Sequence, residues 1–449
     1  MRDNNMTNIF NLIRKSLISS ALFASTIVLI SGCKDNTPSS TPNQSEDLTQ
    51  QESPRNAPAY SPASPGSFIV NYEGDEPDIS QGDGLCKTVT GGCSLRAAVQ
   101  ESNATFLLTT NPFTHTNVII VPAGHYKFTG PPLIPTVVAE GTSDAGMLSI
   151  LGSTSIRGAG ARKTILDGNG IDRVFGVGPN AILMVADVTI TGGSASGIFN
   201  QGQLMVTRCN ISGNYSGYGG GIFNTPSSSA IIESSTISNN VAESEGGGIR
   251  FDAAGLVINS TISNNRILED CCTDSTGDGG TQGEGGGIDA RGGGPVTIIN
   301  STIINNHAVI GGGGINIATS YQGDPGNVLE TLDSEVIGRP VELINTIIAG
   351  NTSTRGAANC KNTISAIHSY GGNIADDESC GLNSENDLSS TAPELGELTN
   401  NGGATDTHAL FATSPARGNG LAGPCPALDQ SGNQRLNPCD SGAVESSAQ

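Results

Sequence analysis

The sequence predicts an all-β fold, a single-stranded right-handed parallel β-helix of about ten rungs. Composition is the first observation behind this prediction: Gly supplies 61 of 449 residues, Trp is absent, and aromatic residues make up only 4%. Such a composition suits a chain that turns often and packs short strands. The other two observations are short motifs that recur along the chain at interleaved intervals. The right hand is expected because parallel crossovers almost always have it.

The two motif series divide each rung into short β segments. The first series is a Thr-Ile or Asn-Ile pair that begins at Thr189, Asn210, Thr236, Thr261, Thr302 and Thr346. The second is a Gly-Ile pair that begins at Gly197, Gly221, Gly248, Gly287 and Gly314. Each segment is too short to fold alone, so we expect two or three strands per rung and burial of the Ile columns by stacking.

Two intervals between the motifs are longer than the rest. They predict insertion loops at 266–284 and 319–337, and insertions in repeat proteins often mark the functional face. Strand-like segments upstream of the repeats extend the predicted β-helix to residues 117–375. Residues 68–116 and 376–449 are then expected to cap its two open ends, which would otherwise expose unpaired backbone.

An Asn column closes the strands of the first series. Asn tolerates left-handed turn geometry, and stacked Asn side chains can hydrogen-bond along a column. An amide-lined ligand groove is the alternative interpretation, but we favour a structural ladder. Its members are Asn214, Asn240, Asn265, Asn306 and Asn351.

The N-terminus has the features of an export signal, predicted over residues 1–32. Arg14 and Lys15 precede an apolar stretch that ends in Leu29-Ile30-Ser31-Gly32-Cys33. This ending resembles the bacterial lipoprotein signal, in which the Cys is lipidated; an ordinary secretory signal with a chance Cys is the alternative. The resemblance implies an anchor at Cys33, a Pro- and Ser-rich tether over 33–67, and a place on the outer membrane or surface of a Gram-negative cell.

Charge excludes one class of partner. Removal of residues 1–32 leaves 41 acidic and 18 basic side chains, a formal net charge of −23. Nucleic-acid binding needs clustered Lys and Arg, so it is not expected. The expected partners are the membrane, through the lipid, and a polysaccharide or a host or neighbouring cell surface, with the chain itself a monomer.

The cysteines fit an exported protein. Closeness in sequence predicts three local disulfides, Cys86–Cys93, Cys360–Cys380 and Cys425–Cys439. Cys209 lies in a strand segment and is expected to be a buried thiol, whereas the adjacent Cys271 and Cys272 could form a vicinal bridge.

Two terminal segments resemble known families. Ser94 can cap a short helix, and Gly82–Cys86 with Cys93–Ala104 resembles the CSLREA-type N-terminal domain of bacterial surface proteins. Thr405–Leu410, Ser414–Ala416, Asp429–Gln430 and Cys439–Glu445 resemble the choice-of-anchor Q domain. These resemblances imply a pectin-lyase-like solenoid with repeats like those of polymorphic outer-membrane proteins. They imply no catalytic residues.

One patch of charged residues on the repeats is a candidate site. Arg250 and Asp252 follow one Gly-Ile motif, and Asp289 and Arg291 follow the next, so all four are expected to point outward from neighbouring strands. A glycan-binding or lyase site is one interpretation, because lyases need a cation and a base. Two cross-strand ion pairs, Arg250 with Asp289 and Asp252 with Arg291, are the interpretation that we favour.

The first insertion loop contains the weak candidates for metal ligands, Asp270, Asp274 and Asp278, among glycines. Oxygen-rich loops suit Ca²⁺, but a solvated acidic loop is the favoured interpretation, and no cofactor is otherwise predicted. The sequence therefore favours a surface-displayed adhesin-like or glycan-binding scaffold. A polysaccharide lyase that acts on an acidic glycan and a purely structural envelope component are the alternatives.

Overall fold

The computed structural model describes residues 66–107, 116–130, 146–268, 283–291, 294–318, 341–361 and 366–446. The predicted signal peptide, Cys33 and nearly all of the predicted tether lie outside these residues. Within them, no helix has the length and apolar character needed to cross a membrane.

Four parallel sheets form the β-helix: sheets A, B and C extend along most of it, and sheet D lies in its central part. Sheet A has ten strands: β1 Ser67–Ile69, β2 Asn117–Ile120, β5 Ser153–Arg157, β8 Ile182–Ala186, β11 Gln203–Thr207, β15 Ser229–Glu233, β19 Ala254–Ile258, β23 Val296–Ile299, β27 Val341–Ile344 and β31 Ile367–Gly371. Sheet B has nine: β3 Gly124–Lys127, β6 Thr164–Asp167, β9 Thr189–Thr191, β12 Asn210–Ser212, β16 Thr236–Ser238, β20 Thr261–Ser263, β24 Thr302–Ile304, β28 Ile347–Ala349 and β32 Ile374–Ala375.

Sheets C and D complete the central rungs. Sheet C has eight strands: β4 Leu148–Ile150, β7 Phe175–Val177, β10 Ile198–Asn200, β14 Ile222–Asn224, β18 Ile249–Phe251, β22 Ile288–Ala290, β26 Ile315–Ile317 and β30 Cys360–Lys361. Sheet D has five: β13 Tyr215–Tyr218, β17 Val241–Glu245, β21 Arg266–Ile267, β25 His307–Ala308 and β29 Thr352–Ser353. One helix, α1 Leu95–Leu107, and one antiparallel pair, β33 Leu395–Thr399 with β34 Thr407–Leu410, lie outside these sheets.

The chain visits the sheets in a fixed order, A, B and C in the early rungs and A, B, D and C in the central ones. Every strand in sheets A to D pairs in parallel with its equivalents in the rungs before and after it, except that the first and last strand of each sheet has one such partner. The predicted all-β parallel β-helix is confirmed. The central rungs have four segments rather than two or three, because the stretch between the two motif series forms a strand of its own.

In-register stacking buries the Ile columns. Ile222 pairs with Ile198 and Ile249, and all three side chains are buried. Their neighbours in the strand face outward because side chains alternate along a strand. In strand β28, Ile348 and not Ile347 continues the inward column, since Ile348 pairs with Ile303.

The predicted Asn ladder is a continuous chain of buried amides. The Nδ2 of Asn240 donates to Oδ1 of Asn265 at 3.0 Å, and the Nδ2 of Asn265 donates to Oδ1 of Asn306 at 3.0 Å. Asn214 begins the chain, and Asn351 extends it to Asn359. The left-handed backbone lies one residue earlier than expected, at Gly213, Asn239, Asn264, Asn305 and Gly350. The residue that makes the turn and the Asn that joins the ladder are therefore two different, adjacent residues.

The N-terminal cap differs from the prediction in where it begins. Strand β1 pairs with β2, so sheet A starts at Ser67, before the capping helix. The predicted cap on α1 is present, since Ser94 Oγ accepts a hydrogen bond from the Ala97 N–H at 3.0 Å. Buried Leu95, Ala98 and Val99 pack the helix into the core of the β-helix.

The C-terminal segment does more than cap the end. Residues 376–391 lie on the last rung, where Leu388 forms a bridge with Ile374. Residues 395–446, here called the strap, then run back along sheet B. The contacts of the strap are Asp406 with Arg162, His408 with Ser263, Gln430 with Thr261, Arg435 with Asn259 and Ala443 with Thr302. Outward residues of β16, β20 and β24 are consequently buried, while those of β9 and β12 stay partly exposed.

We predict that the replacement Asn265→Ala lowers the free energy of unfolding by roughly 3 kcal/mol, because it removes the buried hydrogen bonds that the Asn265 side chain makes with the amides of Asn240 and Asn306 and with the Ile237 carbonyl. Chemical denaturation followed by circular dichroism measures the change. The matched control is Asn210→Ala in sheet B, where the amide is partly exposed and bonds only Ser212 Oγ, with an expected loss below about 1 kcal/mol. Equal losses would contradict a structural role for the ladder.

Candidate functional site

The outward face of sheet C is the candidate site. One column of outward-facing side chains stacks there, with one residue from each successive rung. The residues beside it in the same strand face inward, because side chains alternate along a strand. Each residue of the column is the in-register partner of the next one on the neighbouring strand. The residues are apolar at one end of the column and charged or polar at the other. The column is Phe199, Phe223, Arg250, Asp289, Asn316 and Lys361.

Arg250 is held by two carboxylates and two rings. Its Nε and Nη2 donate to Asp252 at 2.8 and 2.9 Å, and its Nη1 donates to Glu245 at 2.5 Å. The guanidinium also lies 4.6 Å from the centroid of Tyr218 and 4.9 Å from that of Phe223. Each nitrogen of this cation therefore already has a carboxylate partner.

Arg291 lies one rung later, two residues after Asp289, which is the register partner of Arg250. Its Nε donates to Asp289 at 2.6 Å, and its Nη2 lies 2.6 Å from Glu245 and 3.1 Å from Glu284. Glu245 thus bridges the two arginines of neighbouring rungs.

The four residues predicted from sequence do come together, but with different partners. The predicted register of Arg250 with Asp289 is observed. The close ion pairs form along each strand instead, Arg250 with Asp252 and Asp289 with Arg291, because residues two apart share one face. The side chains are also not surface pairs: those of Arg250 and Arg291 are 6% exposed, and that of Asp289 is 0%.

Sequence reasoning missed the two carboxylates that join these pairs. Tyr218 pairs with Glu245, and Glu245 forms a bridge with Glu284, so they make a column at the end of sheet D. A signal was present, since each of the three directly precedes a Gly-Gly-Gly-Ile motif. The first Gly of each motif has a positive φ, and a Cβ on the second, Gly247, would lie 2.5 Å from the Gly286 carbonyl oxygen. The turns therefore stack tightly and bring the residues before them into contact.

Asn316 and Lys361 extend the cluster toward the last rung. The Asn316 Nδ2 donates to Asp289 at 2.6 Å and to Glu284 at 3.3 Å, and the Lys361 Nζ donates to Glu284 at 2.5 Å. Among the described residues, Asn316 Oδ1 has no hydrogen-bond partner. The cluster contains Arg250, Arg291 and Lys361 against Glu245, Asp252, Glu284 and Asp289.

Burial dominates the electrostatics of the cluster. It raises the pKa of Glu245 to about 7, although Arg291 and Arg250 act in the opposite direction. Burial also raises the pKa of Asp252 despite its hydrogen bonds with Arg250. With three cations and four carboxylates, the cluster comes close to neutral when Glu245 binds a proton.

The apolar end of the column forms an aromatic platform, defined by Phe199, Phe223, Tyr218 and Arg173. The two Phe rings meet edge to face with centroids 5.5 Å apart, and Tyr218 is 42% exposed. The Arg173 guanidinium lies 4.5 Å from the centroid of Phe199. Its Nε has no hydrogen-bond partner within the described part of the chain, and its closest carboxylate, Asp172, is 3.7 Å from Nη1.

The predicted cysteine pairs and metal ligands can be compared with the structure only in part. The disulfides Cys86–Cys93, Cys360–Cys380 and Cys425–Cys439 are present, and Cys209 is a buried free thiol whose pKa is raised to about 12 by burial. Asp270, Asp274, Asp278, Cys271 and Cys272 lie outside the described residues. In the ranges that the structure does describe, no group of three or more His, Cys, Asp and Glu could hold a metal ion.

No protein-family model matches the chain, and no curated protein matches it. The resemblances of the terminal segments to the CSLREA-type and choice-of-anchor Q domains therefore stay predictions. Among solved structures, the chain is similar to the crystal structure of pectate lyase Pel9A, at 13% identity and a TM-score of 0.41. The similarity covers 85% of this chain and 97% of that one.

We predict that Arg250→Ala lowers the free energy of unfolding by about 3–5 kcal/mol, because it leaves buried Glu245 and Asp252 without their cation. Denaturant titration of the full chain measures this loss. Arg208→Ala is the matched control: Arg208 makes a similar two-pronged pair with Asp187, but its side chain is 47% exposed, and the expected loss is about 1 kcal/mol or less. A small, equal effect of both changes would show that the cluster does not hold the rungs together.

Proposed function

We propose that the protein is a surface-displayed scaffold that binds glycan on the outward face of sheet C. The observation that supports this function best is the aromatic platform, where three partly exposed rings lie side by side on a rigid sheet. Contiguous exposed apolar surface rimmed by polar groups is typical of binding sites.

The chemistry of the platform suits a sugar ring. Aromatic faces pack against the apolar C–H face of a pyranose, while nearby polar groups can bond its hydroxyls. Arg173 adds hydrogen-bond donors to the platform, since its guanidinium lies over the ring of Phe199. A hydroxyl or an acidic group of a glycan would supply partners for those donors.

The charged cluster supports the platform from one side. Arg250 packs against both Tyr218 and Phe223, and its carboxylate partners fix its orientation. A polar network whose members are paired with one another is rigid, and rigid support is what a binding surface needs.

The lyase alternative finds less support in the same geometry. A lyase must present a free cation to the uronate carboxylate and a base to the α-proton. Arg250 and Arg291 instead face four carboxylates that already bind them, so an approaching uronate would meet negative charge.

We predict that Tyr218→Ala weakens glycan binding at least about tenfold, since it removes the most exposed ring of the platform. Affinity electrophoresis of the full chain in gels that contain polygalacturonate, alginate or dextran measures the binding. The matched control is Tyr215→Ala, an equally exposed tyrosine at the other end of the same strand, which should bind as the unchanged protein does. Binding that is lost in both variants, or in neither, contradicts the assignment to this platform.

The two uronate polysaccharides, polygalacturonate and alginate, separate the scaffold from the lyase, and neutral dextran is the control. A lyase would release unsaturated uronides that absorb in the near ultraviolet, and Arg250→Ala would abolish the release. Sustained turnover by the unchanged protein would overturn the scaffold proposal. Absence of both binding and turnover would favour a purely structural envelope component.

We further propose that lipid on Cys33 anchors the scaffold to the outer membrane and that the segment 33–67 holds it away from the bilayer. The lipoprotein-like residues before Cys33 and the Pro- and Ser-rich composition of the tether support this placement.

We predict that Cys33→Ser moves the protein from the membrane fraction to the soluble fraction, because a single Cys supplies the acyl anchor. Fractionation of cells followed by immunoblotting measures the shift, and Cys209→Ser, which alters a buried thiol, serves as the control. Retention of the Cys33→Ser variant in the membrane fraction would mean that another feature holds it there.

A further inference from the structure

Lys361 and Asn316 face each other at the C-terminal end of sheet C. Strand β30 pairs with β26 in register, with Lys361 opposite Asn316, and both side chains are on the outward face. Neighbouring strands lie about 4.8 Å apart, so a lysine amine can reach the carboxamide of its in-register neighbour.

One carboxylate touches both groups. Glu284 Oε1 accepts a hydrogen bond from the Lys361 Nζ at 2.5 Å, and Glu284 Oε2 accepts one from the Asn316 Nδ2 at 3.3 Å. The Glu284 side chain is 2% exposed, and Asn316 is 0% exposed. The buried Glu284 carboxylate therefore lies between Lys361 Nζ, a potential nucleophile, and Asn316 Nδ2, the nitrogen that would leave if Nζ attacked the carboxamide.

The side chains around Lys361 and Asn316 also suit an attack of the lysine amine on the Asn316 carboxamide. Asp289 accepts a second hydrogen bond from the Asn316 Nδ2 at 2.6 Å, which places two carboxylates on the leaving nitrogen. Arg291 binds both Glu284 and Asp289 and holds them in place.

We propose that Lys361 and Asn316 form an intramolecular isopeptide bond, with Glu284 as the proton carrier. Glu284 takes a proton from the lysine ammonium, and the neutral Nζ attacks Cγ of Asn316. The C–Nδ2 bond then breaks as the departing nitrogen gains two protons, the one held by Glu284 and a second one that Nζ releases as it becomes an amide, so that it leaves as ammonium. Lysine ammonium and carboxamide become an amide and one ammonium ion, so that atoms and charge balance without an oxidant or a cofactor.

The bond would join the last two strands of sheet C. It would close the chain between positions 316 and 361, a stretch that contains the whole of the second predicted insertion. A covalent link at this position would keep the final rung from separating, since β30 ends sheet C and has a single neighbouring strand in it.

Mass spectrometry of the reduced full chain tests the proposal. The expected result is a protein lighter than its sequence by one ammonia, with a branched peptide that joins Lys361 to Asn316 after proteolysis. The branched peptide is the decisive readout, because deamidation intermediates of Asn also lose ammonia. Unmodified peptides that contain Lys361 and Asn316 in the unchanged protein would overturn the proposal without any variant.

Variants then assign the roles. Lys361→Arg and Glu284→Gln should each abolish the branched peptide, the first by removing the nucleophile and the second by removing the proton carrier. Lys163→Arg, at an exposed lysine in another part of the chain, should leave it intact. A branched peptide that persists in full yield in Glu284→Gln would overturn the role of Glu284, and its persistence in Lys361→Arg would overturn the bond itself.

Discussion

In-register stacking at the spacing of parallel strands places each side chain against the same position one rung earlier and one rung later. Inside, this stacking makes the Ile columns possible. At the corner between sheets B and D it permits one Asn amide to bond the next without interruption from Asn214 to Asn351. At the Gly-rich corner it leaves no space for a Cβ, as the approach of Gly247 to the Gly286 carbonyl shows. In-register stacking therefore restricts which residue each position of the rung can hold.

On the outer surface of the β-helix, in-register stacking can place side chains of like charge next to each other, which is unfavourable. Glu245 and Glu284 are neighbours in one column, yet both are buried. Arg250 and Arg291 from the adjacent sheet lie between the acidic side chains, and Glu245 has a raised pKa that lets it lose its charge. Burying such groups is unfavourable unless they are paired, so the cluster holds a defined arrangement of charges on an otherwise repetitive surface.

The strap is a second consequence of the sheet geometry. Sheet B has short strands whose outward Thr and Ser side chains can bond a crossing chain, as Thr261 does with Gln430. The Nδ1–H of His408 donates to the Gly396 carbonyl oxygen at 2.7 Å, so in the neutral ring Nε2 accepts a hydrogen bond from the Ser263 hydroxyl. Burial lowers the pKa of His408, so the neutral ring suits this contact. The strap leaves sheet C uncovered by these contacts, and the platform lies on that sheet.

The β-helix could be predicted from the sequence, because motifs such as Thr-Ile and Gly-Ile encode local strand and turn preferences that repeat. So could the Asn ladder, the three disulfides with short separations, the Ser94 cap and the register of Arg250 with Asp289. Which carboxylate each arginine binds could not be predicted in this way, because Glu245 and Glu284 come from a neighbouring column and meet the arginines only in the folded chain. The tertiary structure alone placed Lys361 opposite Asn316 across an insertion, and turned the C-terminal segment back along sheet B. Contacts of this kind depend on where separate segments meet in space, and neither composition nor periodicity contains that information.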